Sequence, residues 1–187
     1  MPEYPDIELY RERLAERLVG ARLDELRLYS LFLLRTTEFD KSQFIGATIE
    51  SVGRIGKRIA LNFDNGLSQV VHLMISGRLS WNAKVDPLPF RSSKVVLSSW
   101  RFSTGTLSLH EASSKKRASL HFVLAKDLSR LDPGGLDLFT TSLNAFKTRL
   151  WSQRRTLKRA LTDPRSFDGV GNAYSDEILF HAKISPV

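Results

Sequence analysis

A reactive pair opens the sequence, which begins Met1-Pro2-Glu3-Tyr4-Pro5-Asp6-Ile7-Glu8. Removal of an initiator methionine is usual before a small second residue and would leave Pro2 as a free N-terminus. Its nitrogen is then a secondary amine. An α-amino group titrates near pH ~7.7–8.0, so a useful fraction is unprotonated at neutral pH without special tuning. Such an amine adding to an aldehyde-like carbon gives an iminium, the electron sink of Schiff-base catalysis. Glu3 sets a carboxyl group beside it, where a proton donor is needed. Met-Pro-Glu is also a commonplace start, so the pair needs support from the rest of the chain.

The elements that must hold this pair can be read from periodicity. Ile7, Tyr10, Leu14 and Leu18 recur at spacings of three and four and predict a helix from Pro5, ended by Gly20. Leu26 and Leu28 then alternate with polar residues, and a short polar helix is expected over 38–45. Strand signals follow at 48–52, 58–63, 67–73, 94–97, 106–110 and 119–124. Asp64-Asn65-Gly66 marks a hairpin between two of them, and 82–91, with two prolines, reads as a loop. Around Leu131-Asp132-Pro133-Gly134-Gly135 the pattern changes to helices at 143–151, 156–161 and 172–182. The expected class is α+β: an N-terminal helix with an antiparallel sandwich or partly closed barrel over 1–132, then a helical unit over 133–187.

A second constellation lies between the last two helices, Asp163-Pro164-Arg165-Ser166-Phe167-Asp168-Gly169-Val170-Gly171-Asn172. Pro164 breaks one helix, and the glycines permit close backbone approach before Asn172 opens the next. Free amides at a helix N-terminus suit a phosphate, and Asn172 has the chemistry both to cap the helix and to donate to a phosphate oxygen. The same residues would serve equally in a plain helical hairpin with a Gly-rich turn.

Composition narrows the classes. The chain of 187 residues has no cysteine, so disulfides and thiolate metal sites are excluded. Its four histidines, His72, His110, His121 and His181, include no H-x-x-x-H pair, and no metal or other cofactor is expected. No apolar run approaches the ~20 residues that span a bilayer, which makes cytoplasmic residence the default expectation. Lys and Arg number 28 against 20 Asp and Glu, a net charge of +8, which favours a polyanionic partner over an ordinary basic enzyme only when its clusters converge. Those clusters are Arg54-Lys57-Arg58, Lys115-Lys116-Arg117 and Arg154-Arg155-Lys158-Arg159.

Residues 161–186, centred on Asp168-Gly169-Val170-Gly171-Asn172-Ala173-Tyr174, resemble the helix–two-turns–helix of the formamidopyrimidine-DNA glycosylase/endonuclease VIII family. Pro2–Glu8 is similar to that family's catalytic start. Gly56-Lys57-Arg58 resembles its strand-borne catalytic lysine, His72–Leu79 its next strand, and Leu131–Leu136 its linker. The matches run in family order along the chain. The resemblance implies a bifunctional DNA glycosylase and AP lyase of base excision repair. In such an enzyme a damaged nucleotide is flipped from duplex DNA, Pro2 attacks the sugar, Glu3 serves as acid–base, and β/δ-elimination cuts the strand. It implies DNA contacts at Lys57, Arg58, Gly169, Gly171 and Asn172, action as a monomer, and bacterial cytoplasmic or eukaryotic nuclear residence. A damaged- or abasic-DNA binding module with little turnover is the alternative.

Three departures stand out. The family's methionine wedge falls at Ile75 by spacing from Gly77, with Met74 one residue early. The Arg-Phe pair of its purine-lesion members is replaced by Ser113-Ser114-Lys115-Lys116-Arg117-Ala118, leaving Lys116 and Arg117 to fill the void. The family's C-terminal zinc finger has no counterpart before Ser185-Pro186-Val187, so the chain is expected to be a fragment or truncated form. Neither the lesion nor the opposite base is legible.

Overall fold

The computed structural model describes residues 1–91 and 93–186. The N-terminal periodicity becomes α1 (Tyr4–Leu18), with Ile7, Leu14 and Leu18 buried. Pro5 sits in its first turn, where a missing N–H costs nothing, and Asp6 reaches back to accept from the Glu3 N–H at 2.9 Å.

Eight strands follow: β1 (Leu23–Leu28), β2 (Ile49–Ile55), β3 (Arg58–Phe63), β4 (Leu67–His72), β5 (Gly77–Asn82), β6 (Val96–Phe102), β7 (Gly105–Glu111) and β8 (Ser119–Leu124). They form two four-stranded antiparallel sheets, ordered β1-β6-β7-β5 and β2-β3-β4-β8. Inward-facing residues of both sheets and of α1 share one apolar core. Within it Trp100 Nε1 of one sheet donates to Gln69 Oε1 of the other at 2.6 Å, so the indole N–H is not left unpaired in the dry interior.

Two local expectations change. The polar helix over 38–45 shrinks to one 3-10 turn, Lys41–Phe44, capped by Asp40. Phe44 is its only buried residue, too little apolar surface to hold a longer helix. The strand expected at 94–97 runs instead from Val96 to Phe102. Its serines look like a break in sequence, yet β6 is an inner strand, and Ser99 Oγ lies 2.8 Å from Ser108 Oγ of β7.

The second unit has its own core of Leu161, Phe167, Val170 and Leu179, beneath α2 (Leu143–Trp151), α3 (Leu157–Thr162) and α4 (Asn172–His181). Leu136 ties the linker to this unit: its N–H donates to Ser166 O at 3.0 Å, and its carbonyl accepts from the Asp168 N–H at 2.9 Å.

Register decides which loops share an edge. Arg58 pairs with His72, His72 with Ser119, and Gly77 with Glu111. The Gly56-Lys57 turn, the 73–76 turn and the 112–118 loop therefore all open at one end of the sandwich. Residues 73–76 form a turn rather than strand, so strand parity does not govern Met74 and Ile75. Met74 takes a left-handed conformation, φ 55°, while Ile75 projects with 53% of its surface exposed.

A left-handed non-glycine residue costs about 1–2 kcal/mol. Glycine recovers that but adds about 0.4–1 kcal/mol of unfolded-state entropy. Met74→Gly is thus expected to be neutral or stabilising by up to about 1.6 kcal/mol in urea unfolding. A loss beyond 1 kcal/mol would mean that packing of the methionine side chain outweighs backbone strain.

Candidate active site and nucleic-acid interface

The opening pair lies where the two units meet. Pro2 is buried, and Glu3 is 2% exposed. The Glu3 carboxylate points across the boundary to the N-terminus of α4. Its Oε2 accepts from Gly171 N at 2.7 Å and Tyr174 N at 3.1 Å, and its Oε1 from Ala173 N at 2.8 Å. A helix N-terminus offers unpaired amides and positive dipole charge, and a carboxylate answers both.

This corrects the expectation for the Gly-x-Gly-Asn turn. The anion at its amides is Glu3, and the glycines make room for the N-terminal segment. A Cβ on Gly171 would lie 2.4 Å from Glu3 Cδ, and one on Gly169 2.7 Å from the Tyr4 side chain. The Gly171 amide is already taken by Glu3. Gly171 is the N-cap of α4, so Asn172 does not cap the helix. Its side chain is exposed with no partner among the described residues, in a position to donate outward.

Lys57 lies in the two-residue β2–β3 turn, not on a strand, and is half-buried. Burial pushes its ammonium below the usual lysine range, opposed by the nearby charges of Glu3 and Asp168. Lys57 therefore belongs to the same electrostatic neighbourhood as the opening pair. Arg58 turns inward and donates to Leu131 O at 2.8 Å. His72 is pushed down to about 4, first by burial and then by the charges of Arg58, Lys57 and His121, and is neutral at physiological pH.

Across the edge, Glu111 organises the two loops expected to touch a partner. Its buried carboxylate accepts from Ser76 Oγ at 3.0 Å, Arg117 N at 2.9 Å and Ala118 N at 3.0 Å. Lys116 Nζ donates to the Glu111 carbonyl. Arg117 and Ile75 stay exposed. Of the expected site residues, Pro2, Glu3, Lys57 and Asn172 come together at the boundary. Lys116 and Arg117 are held on Glu111, Met74 and Ile75 lie in the turn just ahead of its partner Ser76, and Arg58 serves the linker.

Sequence reasoning missed the clasp that holds the boundary. Arg54 of β2 donates to Glu8 Oε1 at 2.8 Å and to Gly56 O at 2.8 Å, and it ion-pairs with Asp168. Its guanidinium also sits 4.2 Å from the centre of the Tyr4 ring. Nothing local signals a partner 114 residues away, and in the sequence Arg54 belongs to one of the basic clusters that suit a polyanionic partner. Arg54→Met would leave Glu8 and Asp168 as facing, partly buried carboxylates. The expected cost is about 2–3 kcal/mol in urea unfolding, somewhat below that of breaking a fully buried pair. A cost under about 0.5 kcal/mol would show that Glu3 and apolar packing hold the units alone.

The resemblance implies a zinc finger, and the residues present do not fit one. There is no cysteine, and no cluster of three His, Asp or Glu able to hold a metal occurs among the described residues. Nor is any helix among them long and apolar enough to cross a membrane.

A sandwich joined to a helix–two-turns–helix unit, with an N-terminal acid seated between them, defines a class of two-unit proteins. Residues 1–131 match the family described as the formamidopyrimidine-DNA glycosylase N-terminal domain, and residues 135–187 match its H2TH domain. The chain belongs to the formamidopyrimidine-DNA glycosylase family. It is 31% identical over 195 residues to the formamidopyrimidine-DNA glycosylase of Bacillus licheniformis, covering 100% of this chain and 68% of that protein. It is 27% identical over 189 residues to that of Carboxydothermus hydrogenoformans, covering 100% and 67%. The chain thus spans about two thirds of the length of these relatives.

The fold is similar to that of the Lactococcus lactis enzyme non-covalently bound to DNA containing an AP site. The TM-score is 0.86 at 23% identity, over 98% of this chain and 71% of that one. It is also similar to MutM in complex with DNA containing carbocyclic 8-oxo-G, with a TM-score of 0.87 at 22% identity over 99% and 70%.

Proposed function

We propose that this chain is a DNA glycosylase and AP lyase that acts on damaged or abasic positions in duplex DNA. The observation that carries this reading is the Glu3 carboxylate seated on three amides of the helix–two-turns–helix unit, in the residue that follows Pro2 in the chain. With Met1 removed, the Pro2 nitrogen attacks C1′ of a flipped nucleotide. The C1′–base bond breaks and the base leaves with its bonding pair. The Glu3 carboxylate takes the proton that the alkylated Pro2 nitrogen releases and passes it to the ring oxygen, the C1′–O bond breaks, the sugar opens, and an iminium joins Pro2 to C1′. Oε1 accepts a single amide bond, which leaves it a lone pair for proton exchange. The iminium acidifies C2′, loss of its proton expels the 3′ phosphate, and a second elimination expels the 5′ phosphate. Lys57 and Asn172 hold the flanking phosphates.

Borohydride reduction in the presence of abasic duplex tests this directly, because only an iminium becomes a stable covalent adduct. Binding without trapping would reduce the protein to a damage-binding module. The phosphate contacts have a separate signature. Each cation on a phosphate releases counterions, with a log–log salt slope of about −0.9 per contact. Lys57→Ala is expected to make the slope shallower by about one unit. Asn172→Ala should weaken binding with little change in slope, since asparagine carries no charge. A salt titration in which neither variant differs from the parent chain would place the phosphate grip elsewhere.

A further inference from the structure

A groove of about 680 Å³ adjoins the loop edge and has no part in the chemistry above. It arises because the chain must cross from one sheet to the other after β1. The N–H groups of Tyr29 and Ser30 donate to Leu97 O, and Leu33 turns inward to pair with Leu120. The crossing leaves Leu31 and Phe32 outside, 90% and 79% exposed. Phe90, 82% exposed, stands on the opposite wall, with the Arg27 guanidinium 5.8 Å from its ring centre. Arg91, Lys94 and Lys116 also line the groove, and no carboxylate does among the described residues. Glu25, in the neighbouring depression, is already paired with Arg27 and Arg101.

Bare aromatic rings among unopposed cations match a strand of unpaired nucleotides, whose bases stack while the phosphates meet the charges. A stacked duplex offers phosphates but hides its base faces, so it would leave Phe32 and Phe90 unused. The groove is also continuous with the loop edge. Lys116 lines it and is fixed to Glu111, whose carboxylate holds Ser76 beside Ile75.

We propose that this groove binds unpaired nucleotides next to the processed position, with bases on Phe32 and Phe90 and phosphates on Arg91, Lys94 and Lys116. The proposal rests on the reading that this edge meets DNA. It extends the substrate class to damage at strand ends, gaps or bubbles.

The test is fluorescence anisotropy of the whole chain on two abasic duplexes, one blunt and one with a single-stranded extension beside the abasic position, with borohydride trapping run in parallel. The extension is expected to tighten binding about 10-fold, the scale of one or two stacked bases. Phe32→Ser/Phe90→Ser should lose that gain and keep blunt-duplex affinity, trapping and urea midpoint, because both rings are exposed. Lys94→Glu should lose the gain as well. No gain in the parent chain, or a gain retained in the double variant, overturns the groove proposal even if trapping occurs. Gain without trapping overturns the catalytic reading and leaves the groove standing. Self-association abolished by the double variant, with DNA binding unchanged, would assign the face to a second copy and overturn the proposal.

Discussion

Replacing Glu3 by glutamine is expected to slow base excision by about 10²–10⁴-fold, the usual worth of a positioned acid–base. Cleavage of an already abasic site should suffer less, since no base has to leave. The fold adds a second consequence. The carboxylate caps α4 through three amides, and glutamine would turn an N–H₂ group toward donors that it cannot satisfy. Stability should fall by about 1–3 kcal/mol. The two effects separate in single-turnover assays on lesion and abasic duplexes, set beside a urea midpoint. Equal losses in both assays, tracking the loss of stability, would leave Glu3 as a cap that joins the units and nothing more.

Blocking Pro2 is expected to abolish borohydride trapping while DNA binding persists. A retained Met1 or an N-terminal tag turns the amine into an amide, whose lone pair is delocalised and no longer nucleophilic. The position is also confined. Pro2 is buried, and the Tyr4 N–H donates to Gly169 O at 3.0 Å, so an added segment cannot swing another amine into place without breaking the boundary. Trapping should be compared between processed and tagged chains on the same abasic duplex, with the adduct mapped by proteolysis. Undiminished trapping in the tagged chain would make a lysine the nucleophile. Lys57 would be the first candidate, since burial lowers its ammonium and it shares the surroundings of Glu3.

Most elements were legible in the residues, although β5 carried no strand signal of its own. α1, the hairpin strands β3 and β4, and α2 follow from apolar spacing and turn residues, which act between neighbours in the chain. The Pro2-Glu3 pair stands out in the sequence too, because an amine-bearing proline beside a carboxyl group is a property of two adjacent residues. Local pattern misjudged β6, whose serines are stabilised by strands on either side, and the segment 38–45, which has one apolar anchor.

Only the tertiary structure decided which partners meet. Any of 20 carboxylates was available for the amides of α4, and the fold chose Glu3, 168 residues from Gly171. It likewise set Arg54 between Glu8 and Asp168, turned Arg58 to the linker, and presented Ile75 rather than Met74 to the outside. Periodicity records which face of an element is apolar. The pairing of one charge with another depends on how two separately folded cores dock, and no short stretch of this chain contains that information.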